Sequence, residues 1–386
     1  MLRAVAFVLQ SVLAALVAYT TITALAGWRT PKPPPVGDRR RRFVVLIPAH
    51  DEERVVGRAV SDVRLGEYPS NLYEVWVIAD RCSDGTAVVA RDAGAKVAER
   101  VDGPGGKGAA LAWFLEQRPI GPDEAVVVID ADNHVPPNIL VRLSDELDSG
   151  AAVVQVYLDA TDPGASWISM ATALSYWASN RMVQLSRHNL AWPVDLGGTG
   201  MCLTAAALEA AGGIGASLVE DQDLTARLTL EGVRVHWVHD VRVHDEKPLG
   251  AGVAVRQRAR WAAGKRASAR RHAMRLAGAA LRRRRWGPAD LALRLVQPSR
   301  TLVAGVSALL AVVAVVATTD LLWPWEVWAG IAVLQFVLPI SFLFRDGVAP
   351  RWIVRYPVLV VLALLWLPVQ LVSRWVAGWY HTPHRG

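Results

Sequence analysis

The sequence predicts an α/β fold, a doubly wound sheet, joined to α-helical transmembrane segments. Three observations carry that expectation. Short β-rich runs alternate with helical patterns from Phe43 onward, long apolar runs lie toward both ends of the chain, and acidic clusters stand where successive strands end. The composition agrees: of 386 residues 52% are hydrophobic and only 20% charged, and the mean hydropathy is +0.24. That is too apolar for an ordinary soluble enzyme.

Residues 4–26 are almost entirely apolar, and ~20 helical residues cross a bilayer, so residues 1–28 are expected to form an anchor. A cleaved signal peptide is the alternative, with Arg3 as a basic start and Ala24-Leu25-Ala26 as a cleavage-like site. The run exceeds the ~7–15 residues of a signal core. The flank that follows, with Lys32 and Arg39 to Arg42, also resists export and belongs in the cytoplasm. Residues 29–42 read as a basic linker stiffened by the prolines of 31–35.

Residues 43–250 are the expected α/β domain. Runs 43–47, 74–78, 125–129 and 152–157 read as buried parallel strands, with helical patterns at 53–64, 86–93 and 108–117 between the first three. In residues 164–187, Trp167, Met170, Leu174 and Trp177 recur at helical spacing, which suits either core packing or a helix lying on the bilayer. Residues 251–300 carry basic interfacial helices, and 301–386 a membrane domain of about three spans at 302–317, 326–344 and 357–372. The turn at 319–325 has no basic residue, whereas Arg345, Arg351 and Arg355 follow the next span, which places the first turn outside and the second inside. Four spans put both termini outside; Arg374 and Arg385 in the tail argue for a re-entrant last segment instead.

The net charge is +7 and the pI near 9.7. The basic blocks 39–42 and 282–285 sit beside apolar runs, a pattern that favours the membrane and not nucleic acid as the partner. The 16 tryptophans suit a large interfacial surface. Cys82 and Cys202 are far apart, without metal-ligand spacing, and imply a reducing compartment.

The chemistry gathers at the strand ends. The first strand runs into Pro48-Ala49-His50-Asp51-Glu52-Glu53, the second into Ala79-Asp80-Arg81-Cys82-Ser83-Asp84-Gly85-Thr86, and the third into Asp130-Ala131-Asp132. Each alone has a structural explanation: Asp84 and Thr86 suit a helix cap, Asp51 and Glu52 a helix start. Together they crowd carboxylates at one sheet edge, which requires hydrogen-bond donors or a cation. Between the second and third clusters, Gly105-Gly106-Lys107-Gly108 opens a helix, an arrangement suited to phosphate. In extended backbone Asp130 and Asp132 point the same way and can approach one hard cation. Farther on stand Gly197-Gly198-Thr199-Gly200, then Val219-Glu220-Asp221-Gln222-Asp223, then Gln257-Arg258-Ala259-Arg260-Trp261. On a helix Gln257, Arg260 and Trp261 share one face.

These ordered motifs resemble the inverting family 2 glycosyltransferases of GT-A fold, especially the membrane-integrated members, over residues 43–266. The resemblance implies that Glu52 and Asp80 hold the nucleoside, that Lys107 contacts the donor diphosphate, and that Asp130 supports the nucleotide-sugar. It implies Asp132 of the DxD motif as the direct ligand of Mg2+ or Mn2+. Gly198, Thr199 and Gly200 match the acceptor-side loop. Asp221 matches the general base, supported by Glu220, with Asp223 the nearest rival. Gln257, Arg260 and Trp261 match QxxRW, placing an amide and a guanidinium on the donor and an indole under an acceptor sugar. Two departures stand out: Asp51 precedes Glu52 where Asn is usual, and Ala79 precedes Asp80 where a second Asp is frequent.

The implied activity is inverting transfer from a nucleotide-sugar donor, UDP-glucose or UDP-N-acetylglucosamine, to a growing β-linked polysaccharide. It is placed on the cytosolic side of the cell membrane in a multi-pass protein. With so few spans, a homo-oligomer or an export partner would complete a polymer channel. Transfer of one sugar to a membrane lipid is the alternative, and a non-catalytic nucleotide-sugar-binding protein a third. A dinucleotide-dependent oxidoreductase is excluded, because no G-x-G-x-x-G follows the first strand.

Overall fold

The computed structural model describes residues 1–217, 219–317, 321–364 and 369. Its centre is a seven-stranded sheet of order β3-β2-β1-β4-β6-β5-β7. The strands are β1 Arg42–Ala49, β2 Tyr73–Asp80, β3 Lys96–Arg100, β4 Glu124–Val128, β5 Val153–Ala160, β6 Met201–Thr204 and β7 Val235–Asp245. Strands β1 to β4 pair in parallel, as does β5 with β7, while β6 runs antiparallel between β4 and β5.

All four expected strands form, the third and fourth being separated in the sheet by β6. Strands β3, β6 and β7 were not visible in the apolar pattern. An edge strand such as β3 keeps Lys96 and Glu99 in water, β6 has only four residues, and β7 carries His236, His239, Arg242 and His244 among its valines. The central strands read differently because both faces are covered. Phe43 through Ile47 are all 0–1% exposed.

Helices α2 Val56–Arg64, α3 Thr86–Asp92 and α5 Ile139–Asp148 cover one face of the sheet. The other is covered by α4 Lys107–Gln117, α6 Trp167–Ser179, α8 Ala205–Ala210 and α9 Glu220–Glu231. A π-helical segment, Asn180–Leu185, and α7 Ser186–Asn189 continue from α6. The helical stripe of 164–187 proves to be core: Met170, Leu174 and Trp177 are buried and only Trp167 is substantially exposed.

The C-terminal part continues with α10 Ala251–Arg283, α11 Trp286–Val296, α12 Arg300–Val316, α13 Trp325–Arg345, α14 Pro350–Ile353 and α15 Val358–Leu364. The N-terminal run forms α1 Leu2–Leu25. Among the described residues two helices fit transmembrane segments by length and composition, Leu2–Trp28 and Trp325–Arg345. The α11–α12 pair passes the same test as a unit bent by 65°. Much of the expected last span, together with Thr319, Arg374 and Arg385, lies outside the described residues. Helix α1 is tied to the segment that leads into α13 by polar contacts: Gln10 Nε2 donates to Leu321 O at 3.0 Å, and Trp323 N donates to Gln10 Oε1 at 2.8 Å. Leu343 and Phe342 of α13, with Ile353, Tyr356 and Leu359, share one continuous core with α6 and the sheet. The α/β domain and the apolar helices are therefore packed against one another through side chains and not merely tethered.

Candidate active site

The carboxyl ends of β1, β2 and β4 open into a cleft of ≈ 640 Å³. Of the residues assigned roles by resemblance, Glu52, Asp80, Lys107, Asp130, Asp132, Gly198, Thr199, Glu220, Asp221, Gln257, Arg260 and Trp261 all line it. Gly200 does not. Its N–H donates to Val128 O and its carbonyl accepts from Val156 N, both at 2.9 Å. A Cβ there would lie 2.6 Å from Val156 Cγ2, with φ at +62°. Gly200 therefore lets the chain enter β6 against the sheet and makes no wall of the cleft.

The loops after β1 and β2 brace each other. Asp51, at φ +56°, accepts from Ser83 N at 2.6 Å. Glu53 accepts from Gly85 N at 2.9 Å, and Asp84 accepts from Glu53 N at 3.1 Å. The Thr86 hydroxyl receives Glu52 N at 2.8 Å. Asp84 Oδ1 accepts from Thr86 N at 3.0 Å where α3 begins, but Gly85 is the N-cap and no side chain caps the helix. Asp84 and Thr86 act as braces between the two loops, and these contacts leave Glu52 as the carboxyl this loop presents to the cleft. Burial, followed by the charges of Asp132 and Asp130, raises its pKa to about 8. Asp80 is clamped by Arg100 Nη1 at 2.7 Å and Arg81 Nε at 3.3 Å. Its backbone carbonyl, which can only accept, takes the Nδ1 proton of His50 at 2.6 Å.

Helix α4 begins at Lys107 after Gly106, whose φ of +116° suits glycine. Lys107 Nζ bonds Asp130 and donates to Gly198 O at 2.9 Å. Burial opposes its charge, but Asp130, Glu220 and Asp221 outweigh burial and hold its pKa above the usual lysine range. Behind the DxD pair runs a hydrogen-bond relay. Asp130 N donates to Thr199 Oγ1 at 3.1 Å, the Thr199 hydroxyl donates to Asn133 Oδ1 at 2.5 Å, and Asn133 Nδ2 donates to Asp132 Oδ1 at 3.0 Å. Thr199, expected on the acceptor side, thus also orients the two aspartates.

Asp132 is buried, which with Asp130, Asp245 and Glu246 nearby raises its pKa to about 8. Seven more carboxyls line the same cleft: Glu52, Asp80, Asp130, Glu220, Asp221, Asp245 and Glu246. Lys107 is paired to Asp130, and Lys247 lies 2.5 Å from Asp245. The carboxyl oxygens gathered around Asp132 are the donor type that suits a hard divalent cation. Among the described residues, a separate trio, Asp51, Cys82 and Asp84, brings three ligand atoms within 4.8 Å. Its two carboxylates are the loop braces just described. The acids around Asp132 are more widely spread, as suits a cation that also takes phosphate oxygens from a substrate.

Glu220 and Asp221 open α9, where the N-terminal end of the helix favours negative charge. A Cβ on Gly198 would stand 3.6 Å from Lys107 Nζ, 3.7 Å from Asp221 Oδ2 and 3.8 Å from Glu220 Oε1, so these groups converge on one glycine. Burial, then the Glu220 charge, raises the Asp221 pKa to about 7. Asp223 is held elsewhere, by His272 Nε2 at 2.8 Å, Arg227 Nε at 2.8 Å and Arg271 Nη1 at 2.9 Å. Burial works against its charge, yet His272 and Arg227 prevail and lower its pKa. It is a structural anion and does not line the cleft.

Two glycines fix the approach of α9. A Cβ on Gly264 of α10 would meet Val219 Cγ1 at 2.4 Å, and one on Gly108 would meet Gly215 O at 2.6 Å and Glu220 Cβ at 2.9 Å. The helix bearing Gln257, Arg260 and Trp261 thus packs directly behind Glu220 and Asp221. Sequence reasoning gave no role to His50, Tyr176, Asp245, Glu246 or Lys247, which also line the cleft. Lys247 Nζ sits 3.6 Å from the Tyr176 ring centroid. The available signal was position, since residues 245–248 immediately precede the helix of Gln257.

A family model described as "Glycosyltransferase like family 2" matches residues 40–264. The beta-monoglucosyldiacylglycerol synthases of Trichormus variabilis and a Synechocystis strain are both 29% identical to this chain. The matches cover 57% of this chain and 48% and 47% of theirs, so the chain spans about half the length of the curated relatives it matches. The structure of a Pyrobaculum calidifontis mannosyltransferase in complex with GDP-Man and Mn2+ superposes with a TM-score of 0.61 at 18% identity. That superposition covers 94% of this chain and 99% of the other, which shows a shared fold.

Proposed function

We propose, from the premise that this chain belongs to glycosyltransferase like family 2, that it moves one hexosyl unit from a nucleoside-diphosphate donor to a hydroxyl of a membrane lipid. UDP-glucose is the first donor to test. The observation that carries this reading is the convergence of Asp221, Lys107 and the DxD carboxylates on one cleft in a domain packed against apolar helices. The diacylglycerol synthases among its relatives support the lipid acceptor.

In this reading Glu52 and Asp80 accept hydrogen bonds from the nucleoside. Lys107 and Arg260 offer cationic donors to the diphosphate. Mg2+ or Mn2+, held by Asp132 with Asp130 in support, would neutralise charge on the leaving group. Asp221 takes the proton of the acceptor hydroxyl as that oxygen bonds to the anomeric carbon, and the anomeric bond to the diphosphate breaks on the opposite side. The configuration inverts. A carboxyl whose pKa lies near 7 is suited to this work at neutral pH. Glu220, whose pKa burial raises against the opposing charge of Lys107, stands beside the base.

A second reading, elongation of a β-linked polysaccharide, is favoured by Gln257, Arg260 and Trp261 lining the cleft, because an indole can stack on an acceptor sugar. An oligomer or an export partner belongs to that reading. In either case the α/β domain is taken to face the cytosol, with the apolar helices in the cell membrane. The test is nucleoside-diphosphate release by the protein in lipid with Mn2+ or Mg2+ and a panel of nucleotide sugars, followed by sizing of labelled product. Label in extractable lipid supports single transfer. A long glycosidase-sensitive product replaces it with polymer synthesis, and no turnover of any donor refutes both.

A further inference from the structure

One wall of the cleft is also a grip on the membrane helices. The wall comes from the end of α6 and the π-helical segment Asn180–Leu185, through Ser175, Ser179, Asn180 and Gln184. The amides are fixed: Asn180 Nδ2 donates to Leu158 O at 2.8 Å, and Gln184 Nε2 donates to Asp195 O at 2.9 Å. Between them Arg181 points away, 3% exposed. It donates through Nε to Asp346 Oδ1 at 2.8 Å, through Nη1 to Gly27 O at 3.0 Å, and through Nη2 to Thr30 Oγ1 at 3.0 Å. Gly27 ends the first apolar helix and Asp346 follows α13. One guanidinium thus joins the domain-proximal ends of two candidate spans to the wall of the cleft.

Asp346 is tied on every side. Tyr157 OH donates to its Oδ2 at 2.7 Å, and His239 Nε2 lies 2.7 Å from its Oδ1. The Trp237 indole can only donate, and it reaches His239 Nδ1 at 3.1 Å. Arg181 Nη2 reaches His239 Nε2 at 3.1 Å, so the imidazole is held between Trp237, Arg181 and Asp346. A register break in the β5–β7 ladder after Val156 frees residues 239–241 from strand pairing and lets His239 leave the ladder. A buried ion pair of this kind adds little net stability by itself. Its effect is to fix one relative placement of three elements, and π-helical turns recur where such placement serves function.

We propose that the Ser175–Gln184 wall is the subsite for the hydroxyl-bearing headgroup of the lipid acceptor, and that Asp346, through Arg181, is the positioning residue that aligns this wall with the membrane helices. The proposal rests on the lipid reading given above. It predicts that disturbing Asp346 separates acceptor use from donor use, since the donor side of the cleft is built on other elements.

The test uses the full chain in phosphatidylcholine vesicles containing diacylglycerol, with labelled UDP-glucose and Mn2+. Lipid-linked label, free glucose from donor hydrolysis, donor affinity and acceptor KM are all read. For Asp346→Asn the ratio of transfer to hydrolysis is expected to fall about tenfold to a hundredfold with a raised acceptor KM, while donor affinity holds within about twofold. Tyr157→Phe, which removes one donor and leaves the Arg181 pair, is expected to move the ratio the same way by less, and serves if Asp346→Asn does not fold. An unchanged ratio in either folded variant overturns the alignment. Equal loss of donor affinity and transfer also overturns it, because that is general structural damage. If the wild type labels no lipid at all, the lipid reading fails and takes the subsite with it.

Discussion

Removing protons from the acidic end of the cleft should govern metal binding, and the size of the effect follows from two side chains. Glu52 and Asp132 both have pKa values near 8, raised by burial and by their shared company of acids. At pH 7 a carboxyl of pKa 8 is about nine-tenths protonated, so a cation that needs its oxygens must expel the proton first. Binding at Asp132 alone should release about one proton at pH 7, and about two if Glu52 ionises with it. Each released proton makes the apparent Kd for Mn2+ tighten about tenfold per pH unit, or ~1.4 kcal/mol, below pH 8. The dependence should flatten above that pH. Calorimetric titration with Mn2+ in two buffers of different ionisation enthalpy counts the protons directly. Zero protons released at pH 7 by a protein that binds Mn2+ would refute the reasoning, and so would undiminished release from Asp132→Asn. The same raised pKa values fix the sign for stability. Protonated carboxyls stabilise the metal-free fold fully below the unfolded value of about 4, and that contribution is lost as pH rises through about 8. Mn2+ should therefore raise the thermal midpoint more at pH 8 than at pH 6.

Asp221→Asn should lower transfer about 10²- to 10⁴-fold with donor affinity nearly unchanged, measured by turnover and by nucleotide titration; full turnover would remove Asp221 as the base. Asp223→Asn should act on stability, because it leaves His272, Arg227 and Arg271 facing a neutral group; a loss of ~3–5 kcal/mol in denaturant unfolding is expected. At saturating metal, kcat/KM should fall tenfold per pH unit below about 7 as Asp221 takes up its proton; a flat profile down to pH 5 would contradict the assignment. Gly264→Ala places a Cβ 2.4 Å from Val219 Cγ1 and should cost ~1–3 kcal/mol while lowering turnover, since Val219 directly precedes Glu220; unchanged unfolding and rate would show that α10 yields freely.

The site was legible where chemistry coincides with a strand end. Val126 to Ile129 announce a buried strand, so the aspartates after it had to face the crevice, and Lys107 was readable from the glycines before it. Gly200 looked like a neighbour of Gly198 in sequence, but only the fold reveals that β6 runs antiparallel beneath it. Asp223 stood in the sequence as the nearest rival to Asp221 as base. Two residues apart at a helix start, the two side chains diverge, and the cations that claim Asp223 come mainly from α10, 48 or 49 residues away. Arg181 and Asp346 gave no signal at all: one sits inside an apolar helix pattern and the other is a lone acid after a membrane-like run. Local pattern reports burial and periodicity, whereas pairing across 165 residues is decided by packing. A lone Asp after α13 would ordinarily be solvated, and an arginine between Asn180 and Met182 would ordinarily turn outward. That both are buried against each other ties the cleft wall to the apolar helices. Under the proposed lipid reading, that rigidity would determine where the acceptor hydroxyl stands relative to Asp221.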